Sequence, residues 1–179
     1  FKNFHNKVFN FIKIECIKEK NLMGTAGSLY NLKKKRINDF ILTNGDTIFD
    51  INIKDFLGKI KQNKLGNLAL VKKDKNINSE KLNNLSLKEN ILSYKNKSKI
   101  MNGGVYFFKK KFLRFIPNRE CSLENEILPN LIRKKLISGK LYKKFFLDIG
   151  TPKNLVSAPK LLEKTFKGPA AFLDRDGVI

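Results

Sequence analysis

Short apolar runs alternate along the chain with stretches whose apolar residues recur at helical spacing. Residues 11–16 (FIKIEC), 40–44 (FILTN), 68–71 (LALV), 104–108 (GVYFF) and 141–147 (LYKKFFL) read as strands. Residues 26–36 and 53–63 read as helices, as do 123–135, where Leu123, Ile127, Leu128 and Leu131 share one face. Ser122 stands where an N-cap belongs, with Glu124 in the first turn, and Pro152 opens a further helix to about Thr165. The Asn- and Lys-rich stretch 72–99 predicts irregular loops with a short hairpin around 91–94 (ILSY). Lys167-Gly168-Pro169 reads as a linker, and 170–173 (AAFL) as the start of a new strand. Such alternation predicts an α/β fold with a largely parallel sheet over residues 1–166, then a linker (167–169) and a second unit beginning at 170–179.

Charge changes this picture less than its size suggests. The formal net charge is +21, but Lys occurs 32 times against 5 Arg, and Asn 21 times against 5 Ala, the bias that AT-rich codons produce. The lysines are scattered rather than gathered in a stripe, so nucleic acid is not favoured as the main partner, although a positive field helps gather anionic substrates. No apolar stretch approaches the ~18 residues that would cross a bilayer. Cys16 and Cys121 lack metal-ligand spacing, and with one histidine, His5, no ordinary zinc site can be assembled. A reduced, cytoplasmic setting is expected.

Candidate chemistry sits at strand ends. The strand 40–44 runs into Gly45-Asp46, and ligands of open α/β sheets bind outside the carboxyl ends of strands. Asp46 therefore reads either as a carboxylate for Mg²⁺ on a nucleotide phosphate or as a turn or capping residue. Asp148 stands in the same relation to the run FFLDIGTP (145–152), as a second ligand for one Mg²⁺ or as a cap on the helix that Pro152 opens. Gly24-Thr25-Ala26-Gly27 precedes a helix, where small residues and free N–H groups would let a base or phosphate approach. Asn102-Gly103-Gly104 offers an amide and close backbone approach suited to sugar hydroxyls, or a simple turn.

In this order and spacing the motifs resemble the sugar-1-phosphate nucleotidylyltransferase family over roughly residues 8 to 165, with heptose- and mannose-1-phosphate guanylyltransferases as the nearest pattern. LMGTAGSL (22–29) is similar to the base-contacting loop, TNGDTIFD (43–50) to the Gly-Asp metal motif, and MNGGVYFF (101–108) to the Asn-Ala-Gly strand, with Gly103 replacing the usual Ala. SLENEILPNLI (122–132) resembles the segment whose Glu, here Glu124, binds sugar hydroxyls, and FFLDIGTPKNL (145–155) the one carrying the second metal ligand, here Asp148. The Glu-Lys-Pro element is eroded to SYKNKSK (93–99), where Lys97 is the best match for a phosphate-binding lysine although the flanking Glu and Pro are absent.

The resemblance implies a Rossmann-like, mostly parallel mixed sheet flanked by helices, Mg²⁺ as cofactor, and a nucleoside triphosphate (GTP favoured) and a sugar 1-phosphate as partners. It implies in-line attack on the α-phosphorus with loss of pyrophosphate, helped by positioning and electrostatics. It also implies that a first strand, a glycine-rich loop with its Arg and a Pro-Lys motif precede residue 1, so the isolated chain is expected to be inactive.

The segment AAFLDRDGVI (170–179) resembles the first motif of haloacid-dehalogenase-type phosphatases, in the branch that dephosphorylates heptose bisphosphate or histidinol phosphate. There Asp174 would be the nucleophile and Asp176 the general acid/base, both facing one Mg²⁺. The pairing implies a bifunctional enzyme that dephosphorylates a heptose bisphosphate and activates the product for a cell-surface glycan. An Asp-rich turn is the plainer reading of these residues. Two other classes stay open: a polyanion-binding module, and a regulatory domain that binds sugar phosphate without turnover.

Overall fold

The computed structural model describes residues 4–9, 11–58, 63–72, 85–89, 91–95 and 98–166, so the sequence expectations at Lys97, Asp174 and Asp176 lie outside the described residues. A two-residue hairpin, β1 (Val8–Phe9) with β2 (Ile12–Lys13), replaces the expected strand 11–16. Next come α1 (Gly24–Gly27), running directly into a 3-10 turn (Ser28–Lys34), then β3 (Phe40–Thr43), β4 (Thr47–Phe49) and α2 (Ile53–Leu57). The middle of the chain supplies β5 (Gly66–Lys72), β6 (Leu85–Lys88), β7 (Ile91–Tyr94) and β8 (Ile100–Phe108). A 3-10 turn (Lys110–Phe115) and a π-turn (Leu123–Ile127) lead into α3 (Leu128–Arg133), then β9 (Ile137–Tyr142), β10 (Phe146–Asp148) and α4 (Pro152–Thr165).

The expected mixed α/β architecture is present, but the balance of pairing differs from a largely parallel sheet. Among the described strands parallel pairing is confined to β5 with β9, while β8 runs antiparallel to β3, β5 and β6. β8, the longest described strand, meets β6 at Ile100, and β6 in turn forms an antiparallel hairpin with β7. One edge of β8 carries β5, and the other is shared by β6 at Ile100 and β3 at Val105–Phe108.

The sheet is covered on both faces, which is why LALV looked uniformly apolar in sequence. Leu68, Leu70, Tyr106 and Phe108 point into the larger core with Leu123, Leu128 and Leu131, whereas Ala69 and Val105 point to the opposite face against Phe56 and Tyr142. The buried pair Ser138 and Asn67 is satisfied internally, Ser138 Oγ donating to Asn67 Oδ1 at 2.9 Å.

Two predicted elements are divided. The helix expected over 123–135 is divided just ahead of Pro129, which has no N–H to give to Asn125 and sits in the first turn of α3. Upstream, Glu126 and Ile127 both donate to Ser122 O, making the π-turn, and α3 begins only afterwards. Ser122 does cap the turn, its Oγ accepting from Asn125 N at 3.1 Å. The run 141–147 is split at Lys143-Lys144 into the ends of β9 and β10, which join different sheets.

The register of β5 on β8 shifts between Leu68↔Tyr106 and Leu70↔Asn102, so Gly103, Gly104 and Val105 face Ala69 alone. Gly104 takes a left-handed φ of +71°, and a side chain there would press on Asn44 at 2.9 Å. This kink sets Asn102 and Tyr106 against the cleft described next.

Candidate active site

Three segments converge on one cleft of about 650 Å³, lined among others by Thr25, Asp46, Asn102, Tyr106, Glu124 and Gly150. β3 delivers its carboxyl end to this cleft, where Asn44 N donates to Gly104 O at 2.9 Å and ties the Gly45-Asp46 turn to β8.

Asp46 and Asp148 are brought together by the antiparallel pair β4–β10, in which Asp148 stands opposite Thr47. Ile149 N donates to Asp46 O at 2.9 Å and closes the corner. A methyl group on Gly150 would lie 2.8 Å from Asp46 Oδ2 and 3.0 Å from Asp148 Oδ1, so the glycine leaves open a space that both carboxylates face. Capping of α4 falls to Thr151, whose Oγ1 accepts from Asn154 N at 3.3 Å, while Asp148 Oδ1 accepts from Gly150 N at 2.8 Å. The alternative reading of Asp148 as the cap therefore falls away. Two hard oxygen donors around a small open space fit a Mg²⁺ ion that keeps waters or phosphate oxygens as its other ligands. Among the described residues no cluster of three or more His, Cys, Asp or Glu gathers, so an ion here would depend on such outside ligands.

Across the cleft a continuous hydrogen-bond chain joins residues far apart in sequence. Thr25 Oγ1 donates to Glu124 Oε2 at 2.8 Å and accepts from Leu123 N at 2.8 Å. Tyr106 Oη donates to Glu124 Oε1 at 3.0 Å and accepts from Asn102 Nδ2 at 2.5 Å. Asn102 Oδ1 in turn accepts from Gly104 N at 3.1 Å. Burial above all, with the Glu124 carboxylate beside it, pushes the Tyr106 phenol far above its ordinary value; the same two causes push Tyr94 up to about 12. Both tyrosines thus face Glu124 in their neutral form at physiological pH.

The small residues of 24–27 serve a close approach of the chain to itself. Side chains at Gly24 and Gly27 would meet Cys121 O at 2.7 Å and Arg119 O at 2.4 Å. The N–H groups of Ala26 and Gly27, expected to be open to a ligand, both donate to Cys121 O. Gly24 and Thr25 nonetheless line a second cavity of about 460 Å³ that shares Thr25 and Glu124 with the main cleft. Gly103 turns away from the cleft, the face where a side chain would grow meeting the Phe49 ring at 2.3 Å, while its neighbours Asn102 and Gly104 line it. Sequence reasoning missed Tyr106 and Thr25 as partners of Glu124. The available signal was strand alternation, which puts Tyr106 on the face of Asn102.

The model of the nucleotidyl transferase family matches residues 2–165. The chain belongs to that family. Among curated relatives, this nucleotidyl transferase is 26% identical over 157 residues to the D-glycero-alpha-D-manno-heptose 1-phosphate guanylyltransferase of Campylobacter jejuni, covering 86% of the chain and 69% of the relative. It is 26% identical over 163 residues to the bifunctional protein GlmU of Methanocaldococcus jannaschii, covering 86% of the chain. The chain spans only 38% of that archaeal relative's length. Its fold matches HddC from Yersinia pseudotuberculosis with a TM-score of 0.68 at 24% identity, over 86% of this chain and 69% of that one. A putative glucose-1-phosphate thymidylyltransferase from Bacillus anthracis gives 0.72 at 16% identity, over 92% and 69%.

Proposed function

We propose that this nucleotidyl transferase moves a nucleotidyl group from a nucleoside triphosphate to a sugar 1-phosphate. A phosphate oxygen of the sugar 1-phosphate forms the new bond to the α-phosphorus, the bond from that phosphorus to the β-phosphate bridge breaks, and pyrophosphate leaves. The observation that carries this reading is that Asp46 and Gly150 line the same cleft as Glu124 and Asn102, with the Asp148 carboxylate facing the space at Gly150. Mg²⁺ held by that pair would neutralise phosphate charge and align the two reactants. Glu124 accepts from Thr25 and Tyr106 and, as a carboxylate, is a hydrogen-bond acceptor suited to sugar hydroxyls. Asn102 and the backbone beside Gly103 border the sugar, and Lys97 is assigned to its phosphate by resemblance. The loop from Gly24 to Gly27 is assigned to the nucleotide base.

Guanine as base and a heptose 1-phosphate as acceptor are supported by the C. jejuni relative's name, and mannose 1-phosphate is the alternative acceptor by resemblance. The Asp-Arg-Asp-Gly motif supports a coupled phosphatase step in which Asp174 attacks phosphorus as the bond to the sugar oxygen breaks, Asp176 protonates that leaving oxygen, and water then releases phosphate from Asp174. Calorimetric titration with mannose 1-phosphate and with D-glycero-D-manno-heptose 1-phosphate, in the presence of Mg–GTP, tests the transferase reading. Saturable binding that weakens at least about 10-fold in Glu124→Ala is expected from loss of a charged hydrogen-bond acceptor. Absence of binding by either sugar phosphate overturns it.

A further inference from the structure

Among the described residues, two hydroxyls that hold the Glu124 carboxylate come from opposite walls of the cleft. Tyr106, wholly buried on β8, has its hydroxyl fully committed: it accepts from the Asn102 amide and donates to Glu124 Oε1. The order of donors runs one way, from Asn102 N–H through Tyr106 O–H to the carboxylate. Thr25 closes the other side, its hydroxyl proton directed to Glu124 Oε2 by the Leu123 N–H that its oxygen accepts. Neither hydroxyl has a proton left to offer a ligand.

We propose that Tyr106 and Thr25 are positioning residues that clamp the Glu124 carboxylate between the β8 strand and the 24–27 loop, as a pure acceptor for vicinal sugar hydroxyls. Thr25, placed in the nucleotide loop by resemblance, accordingly acts on the sugar side of the reaction, and Tyr106 acts without touching substrate. The inference rests on the transferase reading, and it adds a physical reason for the orientation of Glu124. A freely rotating carboxylate would give up rotamer entropy on binding, whereas one fixed at both oxygens has already done so.

Mannose 1-phosphate binding measured by calorimetry on the full chain, with Mg–GTP present, provides the test. Tyr106→Phe, which keeps ring volume, is expected to weaken sugar binding about 10-fold or more, since hydrogen bonds to charged groups are the stronger ones. Its effect on Mg–GTP affinity, measured alone, should be smaller. Thr25→Val should act like Tyr106→Phe, and Thr25→Ser, which restores the hydroxyl, should return binding to within about 2-fold of wild type. In a Glu124→Gln background Tyr106→Phe should lose most of its effect, because the two residues act as one unit. If Glu124→Ala abolishes sugar binding while Tyr106→Phe and Thr25→Val bind as wild type does, the clamp is overturned and the transferase reading stands. The clamp also falls if Thr25→Ser is as weak as Thr25→Val, or if Tyr106→Phe is undiminished in the Glu124→Gln background. If the wild type binds no sugar phosphate, both fall together.

Discussion

Replacing Gly103 by alanine, the residue the family pattern favours, should destabilise this protein. A Cβ at Gly103 would stand 2.3 Å from Phe49 Cε1, 2.7 Å from Cδ1 and 3.0 Å from Ala69 O. The carbonyl belongs to the central sheet, so the ring must move. It has little freedom, because Phe49 sits edge-on between Phe146 at 5.4 Å and Tyr142 at 6.0 Å. Forcing an extra methyl into such packing costs roughly 1–3 kcal/mol. Against this stands a gain of roughly 0.5–1 kcal/mol from removing a glycine within a strand. Where φ is ordinary, as at Gly103, that gain is available, and the net loss is about 0–2.5 kcal/mol, centred on about 1, by the two preceding magnitudes. At that centre a chain of this size loses about 2–5 °C in Tm. Thermal unfolding followed by circular dichroism measures it, and the pair Gly103→Ala with Phe49→Leu should be less destabilised than the sum of its single changes. A Gly103→Ala protein as stable as wild type, or a double variant showing no coupling, refutes the packing argument.

Three further expectations follow from the same geometry. Asp46→Asn and Asp148→Asn should each weaken Mg²⁺ binding, read as loss of the metal-induced rise in Tm, and excess EDTA should bring wild type down to the variants' Tm. Tyr94 has a folded-state value near 12 against an ordinary 10.0, and Tyr106 is raised as well. Their contribution to stability is present below pH 10 and lost as pH rises towards 12, because only the unfolded chain then releases those protons. Tyr106→Phe should flatten that alkaline decline in urea-unfolding midpoints, once its own effect near neutrality is subtracted. Arg119, with the Ser122 N–H, holds Glu126 at about 2 against 4.5, so its stabilisation is complete above 4.5 and vanishes as pH falls through 2. The pair is exposed, so Glu126→Gln should alter acid unfolding only slightly, and less still in high salt.

How much of this was legible beforehand depended on whether a feature is local. β3 and α4 were readable because each is bounded by its own signals, Asn-Gly after the strand and Thr-Pro before the helix. The two carboxylates were readable because each lies at a strand end, although their meeting depends on β4–β10 pairing between distant segments. The Thr25–Glu124 bond links residues 99 apart and had no local signature. Likewise β9 was expected only from Leu141 onward, as part of 141–147, whereas it starts at Ile137. Gly139 is required within it because a Cβ would meet Leu70 Cδ1 at 2.7 Å where β9 lies beside β5. The small residues at 24–27 were expected to admit a base or a phosphate, and it is the chain's own Cys121 segment that approaches them.

The pairing of β4 with β10 forms a ladder separate from the six-stranded sheet, and α4, with Ala158 as its buried residue, follows directly from it. Such a corner can come apart while the central sheet stays folded, so its amides should exchange with solvent sooner than those of β5 and β8. Two like charges across the ladder favour that opening, and occupancy of the space between them opposes it. The carboxylates would thus link ligand loading to the lifetime of the closed corner. A protease probing the Lys143-Lys144 segment would cut more slowly as the site fills, reporting occupancy through the chain's own breathing.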